Sequence, residues 1–263
     1  ESVTDPEARE RVAAEWGVEP PAEPGLTEVE ATHRFGDDVR AAVVFGENPA
    51  VTEPNASAVT SAFDELDFCV VIDLFETKTA AHADVVLPGS AWAEKSGTVT
   101  NTDRRVMRMR PNADLPGTAR RDLDILTALG RRCTEHSDAF EYDGPREVFD
   151  ELTRMAPIYE GMSYDGIGDG YQRWPFSADD GTGTDVLHAE TFANGEQTAP
   201  LSVVDPVPPA DELERGELTL TTGRVLQHFN SGELSRRSER LMAMRGEETL
   251  QIHPDDATER GIE

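Results

Sequence analysis

The sequence predicts an α/β protein: a parallel-sheet, Rossmann-like domain followed by the start of a second, β-rich domain. Three observations carry this expectation. Apolar, β-branched runs (RAAVVF, DFCVVIDLF, DVVLP) alternate with helix-spaced segments at the short intervals of right-handed βαβ units. A stretch rich in Gly, Asp and Pro then interrupts the pattern. After it, GELTLTTGRVLQHF opens a new β-type pattern. The expected organisation is an α/β domain over residues 1–163, a connector over 164–214 and a second domain over 215–263.

Each element follows from local chemistry. Residues 1–35 are acidic and proline-rich, with one helix-like patch, PEARERVAAEWG. The run Ala41–Phe45 reads as a strand broken by a Gly-Glu-Asn-Pro turn. In NASAVTSAFDEL, Asn55 is a candidate cap, and Ala58, Val59, Ala62, Phe63 and Leu66 recur at helical spacing. DFCVVIDLF is the next strand, TKTAAHA a short helix and DVVLP a third strand, all three strands being expected to lie buried. GTVTNTDRRVMRMR alternates on both sides of a polar NTD turn and predicts a hairpin. Residues 119–133 predict an amphipathic helix with Leu123, Leu126 and Leu129 as its apolar stripe, and PREVFDELTRM a helix that starts at Pro145. In the second domain LTLTTGR predicts a strand, and ETLQIHPDDATERGI a strand followed by a capped helix.

Composition narrows the function. A chain of 263 residues can bury a substantial core. Its 52 acidic against 24 basic residues give a formal net charge of -28, a field that repels nucleic acid and anionic membrane surfaces. No apolar run approaches the roughly 20 residues that span a bilayer, so no membrane insertion is expected. Only Lys78 and Lys95 are lysines; all other basic residues are arginines. An acidic, lysine-poor chain that keeps apolar strands reads as salt-adapted rather than disordered, because salt screens its self-repulsion. Cys69 and Cys133 form no CxxC, and no His pair stands at helical spacing, so neither a disulfide framework nor a self-contained metal site is expected. With no secretory signal in view, the expected location is cytoplasmic. The first residue is not methionine and the last follows a helix-like segment, so both ends are expected to be cut from a longer chain.

Ligands of parallel sheets bind outside the carboxyl ends of the strands. Two loops qualify: GENP (Gly46–Pro49) and DLFETKT (Asp73–Thr79). Gly46 allows close backbone approach, and the amides that follow can face an anion. Asp73 suits an acceptor role towards a base or ribose, although lone strand-end acids more often cap helices or face solvent. In TTGR (Thr221–Arg224) a guanidinium stands beside two hydroxyls, a grouping suited to phosphate, with His228 four residues on. His33, His82, His136, His188 and His253 are scattered and read as surface or packing residues. The arginine pairs at 104–105, 120–121 and 236–237 are candidates for neutralising an anionic ligand or for salt-bridging. No GxSxG, HExxH, GxGxxG or P-loop occurs, so these residues define a ligand edge without a reaction.

Taken together, GENPAVTEPNASAV, LDFCVVIDLFETKTAAHADVVLPGSAWAEKSGTVTNTDRRVMR, ARRDLDILTALGRR and LTLTTGRVLQHFNSGELSRRS resemble the molybdopterin oxidoreductase family. Within it they resemble the catalytic alpha subunits of molybdenum- or tungsten-dependent formate dehydrogenases. The resemblance implies a bis-molybdopterin guanine dinucleotide cofactor with Mo or W, formate or another small oxyanion as substrate, and a 4Fe-4S cluster upstream that passes electrons to partner subunits. It implies that Asp73 pairs with a guanine edge, with Thr77 beside it and Gly46, Glu47 and Asn48 in the preceding loop. Thr222, Gly223, Arg224 and His228 match the turn that opens a C-terminal β-barrel, the molybdopterin dinucleotide-binding domain, truncated here. Asn101 and Arg104 match a segment that faces the same cleft. The family's metal-ligating Cys or selenocysteine, its neighbouring His, an active-site Arg and the iron–sulfur cysteines have no counterpart in this sequence, and Cys69 and Cys133 match none of them. Asn230 stands where formate dehydrogenases commonly carry a second histidine. An assimilatory nitrate reductase or a related molybdoenzyme, and a non-catalytic cofactor-binding remnant, are the alternatives.

Overall fold

The computed structural model describes residues 2–177, 181–206 and 216–262. Residues 178–180 and 207–214 of the expected connector, and residue 215 at the expected start of the second domain, lie outside the described residues. The chain divides into two compact units, residues 1–199 and 200–263.

The first unit opens with helix α1 (Pro6–Trp16), where the Asp5 side chain accepts the Glu7 amide and Gly17, at φ 69°, ends the helix. Helix α2 (Glu28–Thr32) carries a reciprocal capping box between Thr27 and Glu30. At five residues it is too short to show a helical period, which is why the sequence pattern does not reveal it. Strands β1 (Ala41–Phe45), β2 (Phe68–Asp73) and β3 (Val85–Pro88) form a parallel sheet in the order β1-β2-β3. The register sets Val43 opposite Val70 and Val70 opposite Val85. Helices α3 (Pro49–Thr52) and α4 (Ala56–Asp64) connect β1 to β2, and a 3₁₀ turn, Thr79–His82, connects β2 to β3.

Of these three strands β2 is the buried one, because it lies between the other two. On one face Cys69 and Val71 pack with Val59 and Phe63 of α4 and with Ala80. On the other, Val70 and Ile72 pack against Ile125 of helix α5 (Asp122–Cys133). β1 and β3 are edge strands, and Val43 and Phe45 stand exposed, which corrects the expectation of three buried strands. The stripe of α5 is also corrected. Ile125 and Leu129, one turn apart, meet Val70, Ile72 and Leu87, whereas Leu126 faces outwards. Asn55 does cap α4, but through its backbone: it adopts φ 59° and its carbonyl accepts the amides of Ala58 and Val59.

A second, antiparallel sheet runs β4 (Gly97–Thr100), β5 (Arg105–Met109) and β6 (Tyr171–Arg173). The β4–β5 hairpin is the one expected from GTVTNTDRRVMRMR. Helices α6 (Pro145–Met155) and α7 (Tyr164–Ile167) bury Phe149, Tyr164 and Ile167 against Val106 of β5. Short strands β7 (Phe176–Ser177) and β8 (Thr182–Gly183) pair with each other. Helix α1 is clasped to α6 by Glu15–Arg154 and by Trp16 Nε1 donating to Glu151 at 2.9 Å.

The second unit holds a 3₁₀ turn (Ser235–Arg237) and helices α8 (Glu239–Met244) and α9 (Pro254–Glu259). Its expected strands at LTLTTGR and ETLQI do not form, and no closed sheet occurs among the described residues. A strand is stabilised by its ladder partner, and these segments have none among the described residues. No helix among the described residues is long and apolar enough to cross a membrane.

Candidate cofactor-binding edge

The carboxyl ends of β1, β2 and β3 bring three loops together, and buried polar side chains fix all three. Gly46 follows β1 at φ 66°, with its amide donating to Ile72 O at 2.9 Å and open space where a Cβ would stand. The chain then turns inward. Asn48 is buried, and its Oδ1 accepts both the Thr79 amide at 3.0 Å and the Thr79 hydroxyl at 2.8 Å. Thr79 Oγ1 accepts the Ala50 amide at 3.1 Å, so the loops after β1 and β2 are laced by a satisfied buried network. Thr77 is buried too and caps the 3₁₀ turn by accepting the Ala80 amide at 3.1 Å.

Asp73 ends β2 half-exposed. Its Oδ1 accepts the amides of Leu74, at 2.6 Å, and Phe75, at 3.4 Å, which aims the carboxylate out of the strand end. Its Oδ2 takes no hydrogen bond from the described residues. Neighbouring backbone closes the edge: Gly89, just past β3, donates to Asp73 O at 3.0 Å. The loop beyond it is anchored to α5, where Asp122 Oδ1 accepts the Ser90 amide at 2.9 Å and Asp122 Oδ2 pairs with Lys95.

Other predicted residues lie elsewhere. Glu47 is exposed and lies near Glu28, whose carboxyl is pushed up by burial and by Glu53 and Glu47. That acidic side of the loop is unsuited to a phosphate. Asn101 organises the β4–β5 turn, its Oδ1 accepting the amides of Asp103 and Arg105 at 3.0 and 2.9 Å. Arg104, at φ 63°, donates to the carbonyls of Trp174, Thr184 and Asp185 and stacks over the Trp174 ring. Both therefore belong to the antiparallel sheet, not to the parallel-sheet edge. In the second unit Thr222, Gly223 and Arg224 are exposed, and no described residue pairs with Arg224. His228 is buried. Its Nε2 donates to Arg245 O at 2.7 Å, and its Nδ1 faces the Ser235 hydroxyl at 3.0 Å. Burial, and then Asp84, push the Cys69 thiol up, which leaves it unreactive. Among the described residues no group of three or more His, Cys, Asp or Glu could hold a metal ion.

Comparison with known proteins decides the family. The molybdopterin oxidoreductase family model matches residues 7–132, and the molybdopterin dinucleotide binding domain model matches residues 218–263. The chain belongs to the molybdopterin oxidoreductase family. It is 39% identical over 260 residues to F420-dependent formate dehydrogenase 2 subunit alpha of Methanococcus maripaludis, covering 97% of this chain and 38% of the relative. Formate dehydrogenase 1 subunit alpha of the same organism is 35% identical over 259 residues, covering 98% of this chain and 38% of the relative. The assimilatory nitrate reductase catalytic subunit of Bacillus subtilis is 35% identical over 277 residues, covering 100% and 38%. The chain thus spans 38% of the length of these curated relatives.

In this molybdopterin oxidoreductase chain, the parallel-sheet edge gathers Gly46, Asn48, Asp73 and Thr77. Sequence reasoning had Thr79 in the loop after β2 without its bracing role, and missed Ser90, Lys95 and Asp122, which hold those loops. One signal for them was in view: Lys95 is one of only two lysines.

Proposed function

We propose that this chain supplies the guanine dinucleotide-holding elements of a formate dehydrogenase that carries a bis-molybdopterin guanine dinucleotide cofactor with Mo or W. The observation that carries the reading is Asp73: an accept-only carboxylate at the end of the central strand, one oxygen aimed by two amides and the other without a donor among the described residues. A guanine edge offers two adjacent N–H donors, which is what such a carboxylate accepts. Gly46, with its left-handed backbone and open Cβ position, lets the cofactor tail approach the main chain. Asn48 and Thr77, both buried, hold the loops that carry these groups. Thr222, Gly223 and Arg224 offer a hydroxyl, an unobstructed backbone and a forked cation suited to a pyrophosphate, and His228 anchors its own segment to Ser235 and Arg245. Residues 215–263 are assigned to a molybdopterin dinucleotide-binding β-barrel domain, whose family model matches residues 218–263, and Asn101 and Arg104 shape the β4–β5 turn of the first unit.

When bound, the pterin–metal group supplies the two-electron redox centre. The chain's own residues bind and orient its tail. The names of the formate dehydrogenase relatives support formate as substrate. Electron-transfer subunits as partners, a 4Fe-4S cluster and a cytoplasmic setting belong to the same proposal, and the net charge of -28 supports its salt-adapted setting. The nitrate reductase likeness supports a second reading, nitrate reduction on the same cofactor frame. Assay of the intact enzyme separates the two. Dye reduction by formate without nitrate-dependent oxidation of reduced dye is the expected result, and the reverse pattern overturns it.

A further inference from the structure

The loop after β3 is held more tightly than its position at the rim of the sheet requires. Asp122, the first residue of α5, accepts the Ser90 amide at 2.9 Å, and its own amide donates to Ser90 Oγ at 3.2 Å. A Cβ at Gly89 would stand 2.8 Å from Asp122 Oδ1, so this approach needs glycine. Lys95 pairs with the remaining Asp122 oxygen, the two side chains being 30% and 14% exposed. The other end of the loop is tied as well, with Glu94 accepting the Ala91 amide at 2.8 Å and Ala93 O accepting the Asn112 amide at 2.8 Å. Through Gly89, which donates to Asp73 O, the bracket reaches the strand end that carries the Asp73 carboxylate.

The choice of cation is informative. Among 24 basic residues only two are lysines, so arginine is this chain's ordinary cation. Its exposed ion pairs use arginine: Arg40 with Asp67, Arg110 with Asp169, Arg146 with Asp165. Lysine stands where a carboxylate is half-enclosed and already holds a backbone amide on its other oxygen. A compact ammonium delivers a point charge to that single oxygen, whereas a guanidinium presents a planar five-donor fork.

We propose that Lys95, acting through Asp122, is a positioning residue for the cofactor edge: it sets the Gly89–Ser90 backbone against Asp73 and so fixes the direction of the carboxylate that receives the guanine. The proposal rests on the reading of Asp73 as the guanine contact. Lys95 touches no cofactor atom itself.

The test uses the intact enzyme with Lys95→Met, Lys95→Arg and Asp73→Ala, and two readouts that need no turnover. One is guanine nucleotide retained per protein after purification. The other is backbone amide exchange by mass spectrometry over residues 70–79 and 86–95. Lys95→Met is expected to lose about tenfold in guanine retention, with faster exchange confined to those two segments. Lys95→Arg is expected not to restore either readout. Should Lys95→Met fail to fold, Asp122→Asn carries the same expectations, since it keeps an acceptor for Ser90 and removes the charge. Wild-type retention, or faster exchange spread to α5 and β1 as well, overturns the positioning role. Loss in Asp73→Ala with retention in Lys95→Met overturns that role alone; retention in Asp73→Ala overturns the guanine contact on which it rests.

Discussion

Asn48 Oδ1 accepts two hydrogen bonds from a single residue, the backbone amide and the hydroxyl of Thr79, at 3.0 and 2.8 Å. Thr79 is fully buried, and its hydroxyl also accepts the Ala50 amide. The sequence reading placed Asn48 at the ligand; the structure places its carbonyl oxygen behind the loop, as the brace that joins two strand ends.

Replacing Thr79 by valine keeps the shape and removes the hydroxyl. The Ala50 amide then lacks a buried acceptor, at a cost of about 1–3 kcal/mol. Urea unfolding should show a lower midpoint with an unchanged slope. A midpoint equal to wild type would show that the brace is not needed.

The α1–α6 clasp makes a prediction on the acid side. The Arg154 hydrogen bond holds the Glu15 carboxyl below its usual 4.5. A depressed folded-state value contributes stability that is present above the unfolded value and is lost as pH falls through the folded one. Glu15→Gln should therefore flatten the decline in stability below about pH 4.5 and matter most at neutral pH. An acid limb identical to wild type contradicts the assignment.

On the alkaline side, burial, then the hydrogen bond to Glu151, push the Tyr142 phenol up from 10.0 to about 12. The hydroxyl donates to Glu151 Oε2 at 2.7 Å, and Glu151 Oε1 accepts Trp16 Nε1. For an acid with a raised folded-state value, the contribution is full below the unfolded value and is lost as pH rises through the folded one. Absorbance titration should find one phenol ionising near 12, and Tyr142→Phe should delete that step. Its persistence in the variant would assign the step to another tyrosine.

The net charge of -28 sets the salt response. Screening length falls from about 10 Å at 0.1 M salt to about 3 Å at 1 M, so self-repulsion in the folded state weakens. The thermal midpoint should rise steadily with KCl. A flat or falling midpoint contradicts the reading of the chain as salt-adapted.

The parallel core was legible because β2 is apolar on both faces and its neighbours repeat the strand–turn–helix pattern at short range. Edge exposure was not legible: Val43 and Phe45 read as core residues, and only the strand order leaves them outside. The stripe of α5 was misread because Leu123, Leu126 and Leu129 outweighed Ile125, and a three-residue spacing drifts around a helix of 3.6 residues per turn. LTLTTGR shows the opposite failure, a good strand pattern without a partner strand among the described residues. At the site, Asp73 was visible from its place at a strand end. The bracing roles of Thr79, Asp122 and Lys95 were not, since they arise from contacts across about 30 residues of sequence.

The central claim is that Asp73 receives the guanine of the dinucleotide. Its most direct measurement is the guanine nucleotide and metal content of the intact enzyme carrying Asp73→Ala, purified beside wild type. Loss of a charge-assisted pair worth about 1.5–3 kcal/mol should cut retention by roughly 10- to 100-fold. Full guanine and metal content in the variant would contradict the account.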